Sequence, residues 1–304
     1  MLLRFLPVSK KVVWGKSKFF SNFGINDDNI GELWMIGSEN KIINFDSLRL
    51  RDFTNNFPEK IFGDRVPLPE FPVLIKYIST SDWLSVQVHP DDKFAIQNES
   101  CPWGKTEMWY FLETEENAKI ICGLKKVVTE KEFMNLINSS SLNEILNYVD
   151  VNENDWVLIK PGVVHAIGPE ITLLEIQMNS DLTYRIYDWG RVSLDGKPRE
   201  LHIDKALKVI NFQENLKLIK GSEKVNLEFP TFFTETIELN KCPEIELGTE
   251  NKSFNIIIPL NCSLIVSDEK INKYETVLIT ADHGKYKIKG NKSDKFFLIK
   301  MKGD

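Results

Sequence analysis

The sequence predicts a mainly β fold, a barrel-like β domain interrupted by a few helices and followed by a smaller all-β domain. Three observations predict it. Short runs of β-branched and aromatic residues recur along the chain, each bounded by Pro, Gly, Asp or Asn. The run at 171–178 alternates sharply, with Leu174, Ile176 and Met178 on one side and Glu175, Gln177 and then Asn179 on the other. A barrel with a polar interior and a packed exterior shows this pattern. Beyond about Lys224 strand-like runs continue, but no cluster of reactive side chains accompanies them.

In chain order, strands are expected at 71–79, 83–89, 106–112 and 118–122, then at 156–159, 163–167 and 171–178. Between them, 129–149 carries Phe133, Leu136, Ile137, Leu142, Ile145 and Leu146 at helical spacing, and Thr129 with Glu132 forms a capping-box pair. The serines at 139–141 divide this stretch into two short helices. A further helix is expected at 204–210. The C-terminal strands fall at 254–258, 262–266, 277–279, 285–288 and 295–300, as in a small sandwich or jelly roll. The resulting division is 1–225 for a catalytic domain and 226–304 for a C-terminal one.

Composition narrows the function. A net charge of −6 without a long basic run argues against nucleic acid or an anionic membrane as partner. An anionic substrate would need a local cluster of Lys and Arg. Cys101, Cys122, Cys242 and Cys262 form no CxxC pair, which argues against a zinc ribbon and gives no disulfide framework. The stretch MLLRFLPVSKK is too short and too interrupted for a signal peptide, and no window approaches a membrane span. A soluble, cytoplasmic protein is expected.

The chemistry gathers in four segments. In LSVQVHPDD, strand alternation puts Ser85, Gln87 and His89 on one side and Leu84, Val86 and Val88 on the other. Alone, that segment also suits an edge strand with a wet face. In GKTEMWYFL, Lys105, Glu107 and Trp109 share a face of an otherwise apolar strand, where a buried carboxylate wants a cation or a metal. His165 follows a Pro-Gly turn in KPGVVHAIG. The segment LLEIQMNSDLTYR adds Glu175, Asp181 and Arg185. Together Gln87, His89, Glu107 and His165 offer two imidazoles, an amide oxygen and one carboxylate. Such a set suits a divalent cation with an open position, zinc above all, and leaves it positive enough to act as a Lewis acid.

The order VQVHPDD, GKTEMWY, PGVVHAIG and LLEIQMNSDLTYR resembles the type I phosphomannose isomerases in their short bacterial form. The resemblance covers almost the whole chain, including VVWGKS, GELWMIGS and LHIDKALKVI. It implies a cupin-type jelly-roll barrel and one zinc ion held by Gln87, His89, Glu107 and His165. It also implies a catalytic arginine at Arg185, with Lys76, Lys105 and Glu175 at further active-site positions. Longer members carry His-Lys-Pro-Glu where this chain has Gly104-Lys105-Thr106-Glu107, so the histidine proposed there for ring opening is missing. The helical insertion of the long forms is also absent.

The implied reaction interconverts mannose 6-phosphate and fructose 6-phosphate through a cis-enediol, in a monomer or homodimer. It requires a Lewis acid, a base and a cation for the enediolate. Lys105 is preferred as the base, its proton weakened by the metal and the arginine, with Glu175 and Asp181 as competitors. Lys76, Lys105 and Arg185 are the candidate phosphate ligands, but Arg185 cannot hold phosphate and enediolate together. Trp14, Trp34 and Trp109 are candidate walls of the sugar cleft, Trp109 reading more readily as ordinary core, and Lys16 and Ser17 are further candidates for substrate binding. His202 and His283 read as structural or surface residues. Two other functions share the fold: a cupin iron dioxygenase and a non-catalytic sugar-binding cupin. The glutamine ligand and the lysine–arginine pair disfavour the first, and the complete ligand set disfavours the second.

Overall fold

A computed structural model describes every residue except 44, 46, 47, 214–217, 222, 241, 242 and 304, so Cys242 lies outside the described residues. The chain forms two compact units that are discontinuous in sequence. One comprises Ser9–Leu33 and Ile75–Glu223, the other Met1–Val8, Trp34–Leu74 and Lys224–Asp304. The crossing at 223/224 lies beside the break expected near residue 225. The other crossings fall inside the strands Val8–Lys11, Ile30–Ile36 and Val73–Ser79, where nothing in the composition changes.

The first unit is a sandwich of two antiparallel sheets. One sheet has the order Trp156–Ile159, Glu107–Thr114, Ile171–Met178, Val73–Ser79, Ile30–Ile36, Val8–Lys11. The other has the order Tyr184–Tyr187, Val86–Val88, His165–Ile167, Lys119–Leu124, Leu146–Asp150. Their inner faces meet in one apolar cluster: Trp109, Phe111, Val157, Ile159, Ile171 and Leu173 from the first, Ile120, Cys122 and Ile167 from the second. Burial of these side chains, each worth about 1.5–3 kcal/mol, holds the sheets together. The outer face of the second sheet, with Val86, Val88, Ile121 and Ile186, is covered by Phe133, Leu142, Ile145 and Ala206 from the helical segments.

Those helices obey the capping signal but not the full helical period. Glu130–Asn138 is an α-helix whose Thr129 Oγ1 accepts from the Glu132 N–H at 3.2 Å, while the Glu132 carboxylate accepts from the Thr129 N–H at 2.7 Å. The second expected helix is replaced by a single 3₁₀ turn, Leu142–Glu144, and the strand Leu146–Asp150. That strand pairs with Lys119–Leu124, Tyr148 standing opposite Ile121. Sheet pairing satisfies the backbone and buries the same apolar residues that suggested a helix. The helix at Ile203–Leu207 is shorter than expected. Asp92–Asn98 is a helix the strand-centred reading missed, although Asp91 caps it by accepting from the Phe94 N–H at 2.7 Å.

The second unit is also a pair of antiparallel sheets, one of seven strands and one of four. Leu239, Ile257, Val277 and Phe296 pack with Leu264, Val266, Tyr286 and Ile288 between them. Besides the expected C-terminal strands it contains Leu2–Leu6, which pairs with Val277–Ile279, and the helices Leu50–Asn56 and Pro58–Phe62.

Candidate active site

Strand register builds the site. In the five-stranded sheet Gln87 stands opposite His165 on one side and Arg185 on the other, so three side chains from three strands leave one face. In the six-stranded sheet Glu107 stands opposite Gln177, and Trp109 opposite Glu175. The period of two then puts Glu107, Trp109, Glu175 and Gln177 on one face. Because the inner faces meet, histidines from one sheet reach the carboxylate of the other. His89 lies just past Val86–Val88, where Pro90 prevents the strand from continuing.

His89, Glu107 and His165 are fully buried. The Nδ1 atoms of His89 and His165 lie 2.8 Å from the carbonyl oxygens of Leu182 and Val163, respectively. A carbonyl only accepts, so each Nδ1 carries the proton and each Nε2 presents a lone pair. Those Nε2 atoms are 3.1 Å apart and lie 3.5 Å and 3.4 Å from the oxygens of Glu107. Neither carboxylate oxygen of Glu107 accepts a hydrogen bond among the described residues. Lys105 Nζ approaches one of them to 2.8 Å as an ion pair. Two lone pairs and an orphaned carboxylate converging in a dry site are the donors a divalent cation requires. Gln87 completes the wall. As oriented, its Nε2 lies 3.3 Å from His165 Nε2, and a half-turn of the amide brings Oε1 there instead.

The charges around this centre are interdependent. Burial, aided by the Lys105 ammonium, lowers the His89 pKa to about 3, and burial lowers His165 as well, so both rings are neutral ligands. Burial alone would raise Glu107, but the Lys105 ammonium outweighs it and holds the carboxyl ionised well below its usual range. Burial pulls Lys105 down, yet Glu107, Glu175 and Asp181 together hold it above the ordinary lysine value. Three carboxylates thus face its ammonium. Glu175 moves the other way: burial and the neighbouring Glu107 raise it, against the pull of Lys76 and Lys105.

A cavity of about 250 Å³ opens beside these groups. Trp14, Lys76, Gln87, Lys105, Glu175, Asp181 and Arg185 all line it, so the structure brings these sequence candidates together next to the buried triad. Trp109 is fully buried and donates its indole N–H to Glu175 Oε2 at 2.9 Å, while Lys76 Nζ sits 3.2 Å from Oε1. Arg185 donates from Nε to Ser85 Oγ at 3.2 Å and from Nη1 to the Glu200 carbonyl at 2.9 Å. His202 accepts the Arg185 backbone N–H at Nδ1. Lys16 is engaged by Glu170 and Ser17 accepts from the Ile30 N–H; neither lines the cavity. Trp34 begins a segment of the other unit. His283 is hydrogen-bonded to Ser267 in that unit.

The absent histidine has a steric account. A Cβ placed on Gly104 would sit 2.2 Å from the Pro90 carbonyl oxygen and 2.4 Å from the Asp91 carbonyl carbon. The Gly104 N–H is meanwhile held by Asp92 Oδ1 at 2.8 Å. Backbone against backbone leaves no room for any side chain there. Sequence reasoning missed Glu32, Thr183 and Arg199 as lining residues. Arg199 offered the only signal, as a cation in the otherwise turn-like segment DGKPREL.

The family described as phosphomannose isomerase type I, catalytic domain, matches residues 2–121. The mannose-6-phosphate isomerase ManA of Bacillus subtilis (strain 168) is 36% identical over 219 residues, which is 68% of this chain and 67% of that protein. The mannose-6-phosphate isomerase of Streptococcus mutans serotype c is 32% identical over 238 residues, 74% of each chain. The crystal structure of the mannose 6-phosphate isomerase from Bacillus subtilis superposes with a TM-score of 0.84 at 26% identity, covering 98% of this chain and 99% of that one. A zinc-bound mannose 6-phosphate isomerase has a TM-score of 0.73 at 17% identity over 99% of both chains, a likeness of fold.

Proposed function

The chain belongs to the type I phosphomannose isomerases, and on that premise we propose that it interconverts mannose 6-phosphate and fructose 6-phosphate. The observation that carries the reading is the convergence of the His89 and His165 Nε2 atoms on the orphaned Glu107 carboxylate, beside a cavity rich in cations. With Gln87, these residues would hold a zinc ion. Zinc in such a site supplies a Lewis acid that polarises a sugar oxygen.

The remaining tasks fall to the chain's own residues. Glu175 is the better base on this geometry. Its carboxyl is raised by burial, its orientation is fixed by the Trp109 N–H, and it lines the cavity. Lys105, held as an ammonium by three carboxylates, supplies positive charge to the oxygens of the enediolate rather than taking a proton. Arg185 is the second such cation: its guanidinium lines the cavity and hydrogen-bonds to a hydroxyl and a carbonyl. Asp181, exposed at the cavity rim, is placed to exchange protons with solvent. Trp14 gives the sugar an apolar wall.

A cytoplasmic setting and a monomer or homodimer as the working assembly belong to the same proposal. Cys101, Cys122 and Cys262 are free thiols, and among the described residues no helix is long and apolar enough to cross a membrane. The reading is tested by a coupled assay of fructose 6-phosphate formed from mannose 6-phosphate, with chelator and with zinc restored. Turnover that requires zinc supports it. A zinc-loaded protein without turnover overturns it.

A further inference from the structure

The cavity presents four cations, and two of them are held at carboxylates. Lys76 is drawn to Glu175 and Lys105 to Glu107, both at buried carboxylates beside the triad. Arg185 stands opposite Gln87 in the strand register, next to the same centre. Arg199 differs. It reaches the cavity from the segment between Tyr184–Tyr187 and the helix Ile203–Leu207, and it also borders a neighbouring hollow with Trp14. Its Nε donates to Asp188 Oδ2 at 2.8 Å and its Nη2 to Oδ1, a two-point grip that fixes the plane of the guanidinium and leaves Nη1 for another acceptor.

Asp188 is shared with Arg191, whose other carboxylate partner is Asp82, while Arg185 bonds only to a hydroxyl and a carbonyl. Arg185 and Arg199 thus line one cavity, the first without a carboxylate hydrogen bond among the described residues and the second gripped by Asp188.

We infer that Arg199, held by Asp188, is the residue that takes the phosphate monoester of the sugar, which leaves Arg185 for the reacting oxygens. The inference rests on the isomerase reading. It assigns two anionic groups to two arginines, where the sequence offered Lys76, Lys105 and Arg185 for the phosphate and left Arg185 with two roles it cannot fill together. A planar guanidinium with a preset orientation binds a phosphate dianion at little further ordering cost.

The test uses the zinc-loaded full chain. In Arg199→Gln, KM for mannose 6-phosphate rises tenfold or more, kcat changes less than KM, and the Ki of inorganic phosphate as competitor rises by a similar factor. Asp188→Asn, which loosens the grip, raises KM severalfold in the same direction. Arg199→Lys keeps the charge without the two-point geometry and falls between; it decides the matter if the glutamine variant does not fold. KM and Ki within twofold of the wild type in Arg199→Gln would overturn the assignment, as would a loss confined to kcat. Calorimetric titration with inorganic phosphate separates this from the isomerase reading. If the wild type lacked turnover, that reading would fail, yet phosphate bound at least tenfold more tightly by wild type than by Arg199→Gln would still support Arg199 as the anchor. Equal or absent phosphate binding in the two proteins would overturn it.

Discussion

The Nε2 atoms of His89 and His165 lie 3.1 Å apart, each ring turned by a backbone carbonyl behind it so that its lone pair faces Glu107. The rings come from adjacent strands of one sheet and the carboxylate from the opposing sheet. Lys105 offsets only part of the cost of burying that carboxylate against two imidazole lone pairs, a penalty of several kcal/mol for a buried ion. The site is therefore stabilised by what it binds.

Removal of the cation follows directly. Chelation is expected to abolish isomerase activity and to lower the melting temperature by several degrees, and added zinc is expected to restore both. Metal that binds only the folded chain at about 100 times its Kd contributes roughly 2.7 kcal/mol. Differential scanning calorimetry with and without chelator checks this.

Glu107→Gln keeps the shape of the side chain but removes the only carboxylate in the triad. Metal content, measured by mass spectrometry after dialysis, should fall to less than a tenth of an ion per chain, and activity should fall about 100-fold or more, a loss on the scale of metal-site disruption.

The histidines also set a pH dependence. The His89 pKa falls from 6.5 to about 3 on folding, and His165 is lowered as well. Between those values the unfolded chain binds more protons than the folded one, so stability rises with pH through that window. The chelated protein should keep its stability above about pH 6.5 and lose it progressively as pH falls toward 3. Urea midpoints measured from pH 4 to 8 check this; a midpoint that rose on acidification would contradict it.

Trp109→Phe removes the indole N–H that Glu175 accepts and retains the aromatic bulk. The expected result is about a tenfold loss in kcat with a smaller change in KM, together with a stability cost of roughly 1–3 kcal/mol for the carboxylate left without its donor. Glu175→Gln should cost more, about 100-fold in kcat, if that carboxylate moves the proton. A steady-state comparison of the two variants distinguishes positioning from proton transfer.

Thr129→Ala provides a contrast away from the cavity. It removes the acceptor for the Glu132 N–H at the start of Glu130–Asn138. Stability should fall by about 1 kcal/mol in urea titrations while kcat and KM stay unchanged.

Much of this site was legible because its chemistry is rare. A histidine two residues after a glutamine, a glutamate on an apolar strand and an arginine ten residues after a glutamate need no contact map to be noticed. Alternation also assigned Glu175 and Gln177 to one face. The turn from helix to strand at Leu146–Asp150 was not legible, since apolar residues at 142, 145 and 146 satisfy either period until a partner strand is present. Nor was the composition of the units, because strands such as Val73–Ser79 cross from one to the other without a change of residue type.

The sequence by itself determined the mainly β architecture, the family and the His89, Glu107 and His165 candidates for a metal site. These depend on residue identity and local period, which survive without knowledge of distant contacts. Only the tertiary structure decided which charges face one another: that three carboxylates surround Lys105, that Trp109 donates to Glu175, and that Asp188 grips Arg199 at the cavity. The physical reason is range. Electrostatic roles depend on separations of a few ångströms between residues far apart in the chain, and strand register across two facing sheets sets those separations.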